Sequence, residues 1–231
     1  MHTDILDLYP PPFDIEADML FVAAWAAAGP LVERFPEQPF LSIAGRVPLA
    51  LWFSRVRSLS YGEPDEGSVL DERSGFGYRE LNIVALLRRR AIFVPGIYAT
   101  SGLSQRLGHR YGMPKREVEM WFRVLEGRIE SAASFGRGPT EVSASLLASG
   151  RILAKPFDQA APWWTWPARF PSGESVRARI LRFPRAQLAR IHGVLRLDEP
   201  WLAEPARLWP LGIFVPGFVM RLPPPSSWAE G

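Results

Sequence analysis

The sequence predicts an α+β chain that is predominantly antiparallel β, a curled sheet carrying a few short helices. Three observations predict it. Apolar or alternating runs of strand length recur along most of the chain. Tight-turn signals separate neighbouring runs, as at Glu126-Gly127 and Ser149-Gly150. Helical signals are confined to a few short stretches, and many hairpins with short loops close into a barrel or a sandwich.

The elements follow in order. Residues 1–12, with Pro10-Pro11-Pro12, read as an extended arm. The run "MLFVAAWAAAG" reads as a buried helix from about 14 to 28, ended by Gly29-Pro30. "PLALWFSRVRSL" (48–59) reads as a strand and the acidic, glycine-punctuated 61–77 as a loop. "YRELNIVALLRR" (78–89) is a strand, and "AIFVPGIYAT" (91–100) is a second with a kink at Pro95-Gly96. "SGLSQRLGHR" (101–110) is a short helix with a serine cap. From 116 onward the pattern is mostly strand: a hairpin through Glu126-Gly127, a second turning at Ser149-Gly150, and a strand at 174–183. Residues 184–197 fit helix or strand. The tail 222–231 reads as a second arm. The pentapeptide "IFVPG" occurs at 92–96 and 213–217 without matching flanks, which reads as a coincidence of strand and Pro-Gly kink. No interior linker divides the 231 residues, so 1–231 is taken as a single domain.

Composition excludes several function classes. At 47% hydrophobic residues, with 9 Trp and 14 Phe, the chain can bury a large core, so disorder is not expected for its bulk. The net charge is only +3, because acids nearly balance the arginines, so no nucleic-acid partner is expected. Arg88-Arg89-Arg90 reads as a solvated strand end. Cysteine is absent, which removes disulfides, thiolate nucleophiles and cysteine-zinc sites and fits a cytoplasmic protein. The three histidines have no ligand spacing, so no metal is expected. The longest apolar run would span about 15 Å as helix against about 30 Å of hydrocarbon, so no membrane partner is expected.

Lys and Arg together number 27, and only Lys115 and Lys155 are lysine. Imine formation with a carbonyl is one task arginine cannot take over, because guanidinium stays protonated and is a poor nucleophile. Lys155, in "RILAKPF", reads as an ordinary surface lysine. Lys115, in "YGMPKREVEM", has a stronger setting: Pro114 fixes the backbone before it, Gly112 permits a close approach, and apolar Met113 and "VEMWF" surround it. A free lysine is on the order of 0.04% unprotonated at neutral pH. Lowering its pKa by about three pH units costs about 4 kcal/mol of ammonium solvation, which burial can impose. Arg116 pushes the same way, but adjacent strand residues face opposite sides, so burial is expected to outweigh it.

The segment "YRELNIVALLRRRAIFVPGIYATSGLSQRLGHRYGMPKREVEM" (78–120) resembles the acetoacetate decarboxylase superfamily. Tyr78 and Glu80 match its Tyr-x-Glu strand, Phe93, Val94, Pro95, Ile97 and Tyr98 its second strand, and Gly112, Pro114 and Lys115 its Gly-x-Pro-Lys segment. The resemblance implies a curled β-barrel around an apolar pocket, a homo-oligomer, and lyase chemistry on a small-molecule keto acid without a cofactor. It implies Lys115 as the Schiff-base lysine and Glu80 as the pocket acid, with Arg116 as the adjoining catalytic cation. Tyr78, Ile97, Tyr98 and Met113 are then the substrate-binding wall. The chain departs from the pattern in three places. Arg116 stands where a second lysine is common. "LGHR" lacks the acid of the preceding helix. No arginine or second glutamate for the substrate carboxylate can be placed in 40–75, where Ser54 or the acidic loop takes the position.

Three readings follow. Decarboxylation of a β-keto acid through an imine on Lys115 is the reading the family favours. Aldol, dehydration or cyclisation chemistry on pyruvate-like 2-oxo acids is favoured by the missing carboxylate-handling residues. A non-catalytic barrel for apolar ligands is the third. The Trp-rich "PWWTWP" (162–167) would serve any of them as a binding wall, or else as core or subunit contact.

Overall fold

The run that reads as a helix, Phe13–Ala27, is a fifteen-residue strand. In the computed structural model, which describes residues 8–9, 11–62, 68–88, 90–135, 138–152, 167–184, 186–202 and 204–223, this β1 pairs with strands on both sides. Its two faces are both buried: Leu20, Val22 and Ala24 on one, Ile15, Ala17, Met19 and Phe21 on the other. A strand buried on both faces reads as a continuous apolar run, which periodicity does not separate from a buried helix. Helix begins only afterwards, as α1 (Ala28–Arg34).

The remaining elements are β2 (Arg46–Tyr61), β3 (Ser68–Asp71), β4 (Tyr78–Leu86), β5 (Ile92–Ala99), α2 (Gly102–Arg110), β6 (Lys115–Glu117), β7 (Met120–Leu125), β8 (Arg128–Phe135), β9 (Gly138–Ile152), β10 (Ala168–Arg169), β11 (Ser175–Val176), β12 (Arg179–Arg182), β13 (Ala186–Val194) and β14 (Arg207–Leu222). They form one sheet in the order β11-β10-β5-β4-β2-β1-β14-β13-β9-β8-β7, with β3 on β2, β6 on β5 and β12 on β14. The pairs are antiparallel except β5 with β6 and with β10. The predicted predominantly antiparallel, curled architecture is the one observed.

The strand at 48–59, the Ser-capped helix and the hairpin at Glu126-Gly127 stand where expected. Four other expectations change. Residues 184–197 resolve as strand β13. The span 174–183 breaks into β11 and β12. The acidic loop contains strand β3 and a 3-10 turn at Glu72–Ser74. Ser149-Gly150 is not a turn: β9 runs through it, and the signal appears as a register shift where Gln187 faces Arg151 but Ala189 faces Leu146. Both "IFVPG" copies also carry a register shift, in β5 against β4 and in β14 against β1. Proline cannot donate to the ladder, so an extra residue is accommodated there as a bulge. The segment "PWWTWP" up to Trp166, Lys155, and most of the two arms lie outside the described residues.

Two cores result. The sheet curls until β7 returns against β2 and β4. The enclosed face packs Phe53, Leu81, Phe93, Ile129, Val142 and Leu195. The other face of β1, β2, β4, β5 and β14 buries Phe13, Met19, Val94, Ile97 and Phe218 beneath Leu107 of α2, Phe170 and Val176. The site lies in this second core.

Candidate active site

Alternation along β4 puts Tyr78, Glu80, Asn82 and Val84 on the face covered by α2. Parallel pairing of β6 with β5 sets Lys115 opposite Ile97. The turn between α2 and β6 aims the lysine. Gly112 adopts φ +65°, and a Cβ there would fall 1.6 Å from a Glu174 carboxylate oxygen. The Ile97 amide donates to the Pro114 carbonyl at 3.2 Å, and the His109 ring lies with Nε2 2.8 Å from the Lys115 carbonyl. The lysine side chain then runs along α2 over Gly108, where a Cβ would come within 2.5 Å of its Cδ.

Lys115 Nζ ends 2.5 Å from Glu80 Oε2 and 2.8 Å from Ser104 Oγ. Ser104 reaches the same carboxylate oxygen at a longer 3.5 Å. Asn82 donates to Glu80 Oε1 at 2.9 Å, and the Tyr78 ring centroid is 5.7 Å from Nζ. Lys115, Glu80 and Ser104 are 9%, 6% and 4% exposed.

Burial pulls the Lys115 ammonium down, as the sequence leads one to expect. The Glu80 carboxylate, the neighbouring Tyr78 and the hydrogen bond to Glu80 together outweigh it and hold the lysine above its ordinary 10.5. The expectation of a depressed lysine is therefore corrected. A paired carboxylate at 2.5 Å compensates the desolvation, and the resting group is an ammonium beside its own proton acceptor. Burial pushes the Tyr78 hydroxyl up as well.

Two cavities meet at this lysine. The larger, ≈ 90 Å³, is bounded by Trp52, Val94, Ile97, Met113, Phe170 and Phe218 among others. A smaller one of ≈ 30 Å³ lies behind, against Tyr78, Ser104 and Tyr111. Lys115, Glu80, Ile97, Met113 and Tyr78 thus come together as the sequence suggests.

Tyr98 and Arg116 do not join them. Both project to the opposite side of β5 and β6. There the Tyr98 hydroxyl donates to Glu199 Oε1 at 2.8 Å, Arg116 pairs with the same oxygen, and Tyr98 stacks edge-on against Phe135 at 5.0 Å. Tyr98 therefore does not bound the cavity, and Arg116 is held away from it. Ser54 donates to the Glu80 backbone carbonyl at 3.3 Å and supplies no carboxylate. Among the described residues, no arginine borders either cavity.

Sequence reasoning missed Ser104, Asn82 and Glu199. Asn82 was within reach, because it lies two residues after Glu80 on a strand and shares its face. Ser104 stands one turn before Gly108 on α2, a spacing that becomes informative only once the lysine is known to cross that helix face. Glu199 is 101 residues from Tyr98 and carried no local signal.

No model of a known protein family matches the chain, and no curated protein matches it. Solved structures do. The enduracididine biosynthesis enzyme MppR, complexed with the condensation product of pyruvate and imidazole 4-carboxaldehyde, superposes with a TM-score of 0.63 at 15% identity, over 92% of this chain and 87% of that one. Acetoacetate decarboxylase from Legionella pneumophila gives 0.62 at 12% identity, over 94% and 87%. An acetoacetate decarboxylase-like enzyme from Sphingomonas wittichii RW1 gives 0.57 at 14% identity, over 92% and 91%. The resemblance first seen in residues 78–120 thus extends over nearly the whole backbone, and the chain has the acetoacetate decarboxylase-like fold.

Proposed function

We propose that this protein is a Schiff-base-forming lyase that decarboxylates a β-keto acid, with Lys115 as the imine-forming residue. The observation that carries the reading is the buried contact of Lys115 Nζ with Glu80 Oε2 at 2.5 Å, opening onto an apolar cavity. Ammonium and carboxylate at that distance interconvert with amine and carboxylic acid by one short proton transfer. When a keto acid displaces water, the neutral pair gains, because charged groups lose most on drying.

The steps follow from this pair. Lys115 passes a proton to Glu80, and its amine adds to the ketone carbon. Glu80 returns the proton to the carbinolamine oxygen, which leaves as water, and an iminium remains. Ser104, 2.8 Å from Nζ, steadies the nitrogen through these changes. The C–C bond to the carboxylate breaks, its electron pair moves to the iminium nitrogen, and CO2 departs from an enamine. A proton delivered by way of Glu80 to the enamine carbon regenerates an iminium, and water releases the ketone and the lysine.

Among the described residues no arginine borders the cavity, so the carboxylate of a β-keto acid would be oriented by hydrogen bonds alone, a departure from the family pattern that favours the second reading. A carboxylate in an apolar cavity near Glu80 is raised in energy, and departure as CO2 removes the charge. Arg116, held by Glu199, acts as an anchor for β6 in this reading rather than as a catalytic group. The second reading, aldol-type condensation of a 2-oxo acid, is favoured by the likeness to MppR, whose complex holds a pyruvate condensation product. The third, an apolar-ligand barrel without turnover, keeps the cavity and loses the chemistry. A homo-oligomer accompanies the enzymatic readings, and sedimentation velocity reads it directly.

Borohydride reduction with acetoacetate, and separately with pyruvate, is the test. The expected result is a reduced adduct on Lys115, absent in Lys115→Arg, with CO2 released from acetoacetate. Condensation of pyruvate with an aldehyde without CO2 release would transfer the assignment to the second reading. No adduct with either acid would leave only ligand binding.

A further inference from the structure

We infer that the substrate carries a short aliphatic tail, so that the keto acid is up to about three carbons longer than acetoacetate. The inference rests on the imine reading of the same cavity and specifies what else that cavity holds. Glu80, Asn82 and Lys115 are the only charged or amide-bearing side chains among the described residues that border the larger cavity. All three are grouped on β4 and β6. The wall continues well past them as carbon. From β4 it crosses Trp52 on β2 and Met19 on β1 to Phe218 and Met220 on β14, and it is roofed by Ile180.

The sheet order makes that crossing three inter-strand steps, about 14 Å at the usual spacing. The cavity has room for roughly six to nine water-sized groups, since one water needs about 10–15 Å³ on this measure. A four-carbon keto acid fixed at Lys115 as an imine occupies about six of these places, so up to about three further carbons fit towards β14 before the space is filled. Water there would find no hydrogen-bond partner among Met19, Ile180, Phe218 and Met220. A methylene chain covers that wall and releases the water, and each added methylene improves binding about fourfold until the space is filled. A hydroxyl carried on the tail would lose its own hydrogen bonds on entry, so the same wall selects against polar tails.

The test runs in two arms that separate tail from chemistry. In the first, kcat/KM for CO2 release and the yield of borohydride adduct on Lys115 are measured for acetoacetate and for its 3-oxo-hexanoate, octanoate and decanoate homologues. The expected result is a rise of about fourfold per methylene and then a plateau. Adducts that form equally well at every length would overturn the tail and leave the imine standing. In the second arm, 2-alkanols of the same lengths, which cannot form an imine, displace an environment-sensitive dye. A steepening affinity with length supports the tail even if no adduct forms; a flat series overturns it. Ala178→Phe narrows the cavity and Ile180→Asn, opposite Met220 of β14, makes its wall polar. Each is expected to lower the octanoate-to-butanoate ratio of kcat/KM at least tenfold, and an unchanged ratio in both would also overturn the inference.

Discussion

At 2.5 Å, Lys115 Nζ and Glu80 Oε2 can pass a proton without rearrangement, so the two side chains work as one proton-transfer pair. Removing the carboxylate therefore has two effects of opposite sign on reactivity. In Glu80→Gln, burial is no longer compensated and Lys115 falls below the wild-type value, so cyanoborohydride trapping is expected to reach half-maximum at lower pH. Turnover is expected to drop by about 10²–10⁴, because the acid/base group has gone. A trapping curve that does not move would refute the electrostatic account. Gly108 makes a second demand. Glycine to alanine inside a helix normally adds about 0.5–1 kcal/mol of stability. Here the new methyl would meet Lys115 Cδ at 2.5 Å and Cε at 2.8 Å. Gly108→Ala is expected to melt no earlier than wild type while losing about a hundredfold in kcat, the scale of a 1 Å misplacement. Early melting with proportionate activity loss would mean that the contact is structural only.

The elements that matter most are the short ones. Helix α2 brings Ser104 and the Gly108 gap over β4, and its start depends on Ser101, whose hydroxyl accepts from the Ser104 amide at 3.3 Å. Ser101→Ala is expected to cost about 0.5–2 kcal/mol of unfolding free energy, read as a lower urea midpoint. Because the capped amide belongs to Ser104, KM for the keto acid is expected to rise as well, and a stability loss with unchanged kinetics would separate the helix from the site. Strand β6 is three residues long, yet it sorts Lys115 to one face and Arg116 to the other. Glu199, itself held by the Tyr98 hydroxyl in the enclosed core, pairs with Arg116 and holds that choice in place. Strand β1 teaches the opposite lesson. Its alanines favour helix, but two flanking strands supply ladder partners for the backbone and apolar cover for both faces, which outweighs a few tenths of a kcal/mol of propensity per residue.

For the molecule as a whole, the sheet has two buried faces, and each contains a tyrosine held neutral. Burial raises Tyr78 on the site face and Tyr98 on the enclosed face, where the Glu199 charge adds to it. A raised value in the folded state contributes stability that is complete below the ordinary 10.0 and is lost as pH climbs above it. The melting temperature is therefore expected to hold up to about pH 10 and then fall. Tyr98→Phe should flatten that alkaline limb by about 3–5 °C per pH unit, given about 1.4 kcal/mol per unit and group. A limb of unchanged slope would show that Tyr98 is not protected as described. Among the described residues, no helix is long and apolar enough to cross a membrane.

By itself the sequence determined what depends on short range. The strand periodicity, the Ser101 cap, the Glu126-Gly127 hairpin and the paired Tyr78 and Glu80 on one face all follow from neighbours within a few residues. So does the setting that singles out Lys115 as a candidate, since Pro114, Gly112 and the scarcity of lysine are visible in one line of text. Only the tertiary structure decided that Phe13–Ala27 is a strand, that Tyr98 and Arg116 turn away, that Ser104 reaches the candidate site, and that Lys115 rests as an ammonium. Each of these turns on burial, pairing and charge contributed by groups from 11 to 209 positions away. Such interactions act over a few ångströms in space, and a linear pattern does not carry that distance.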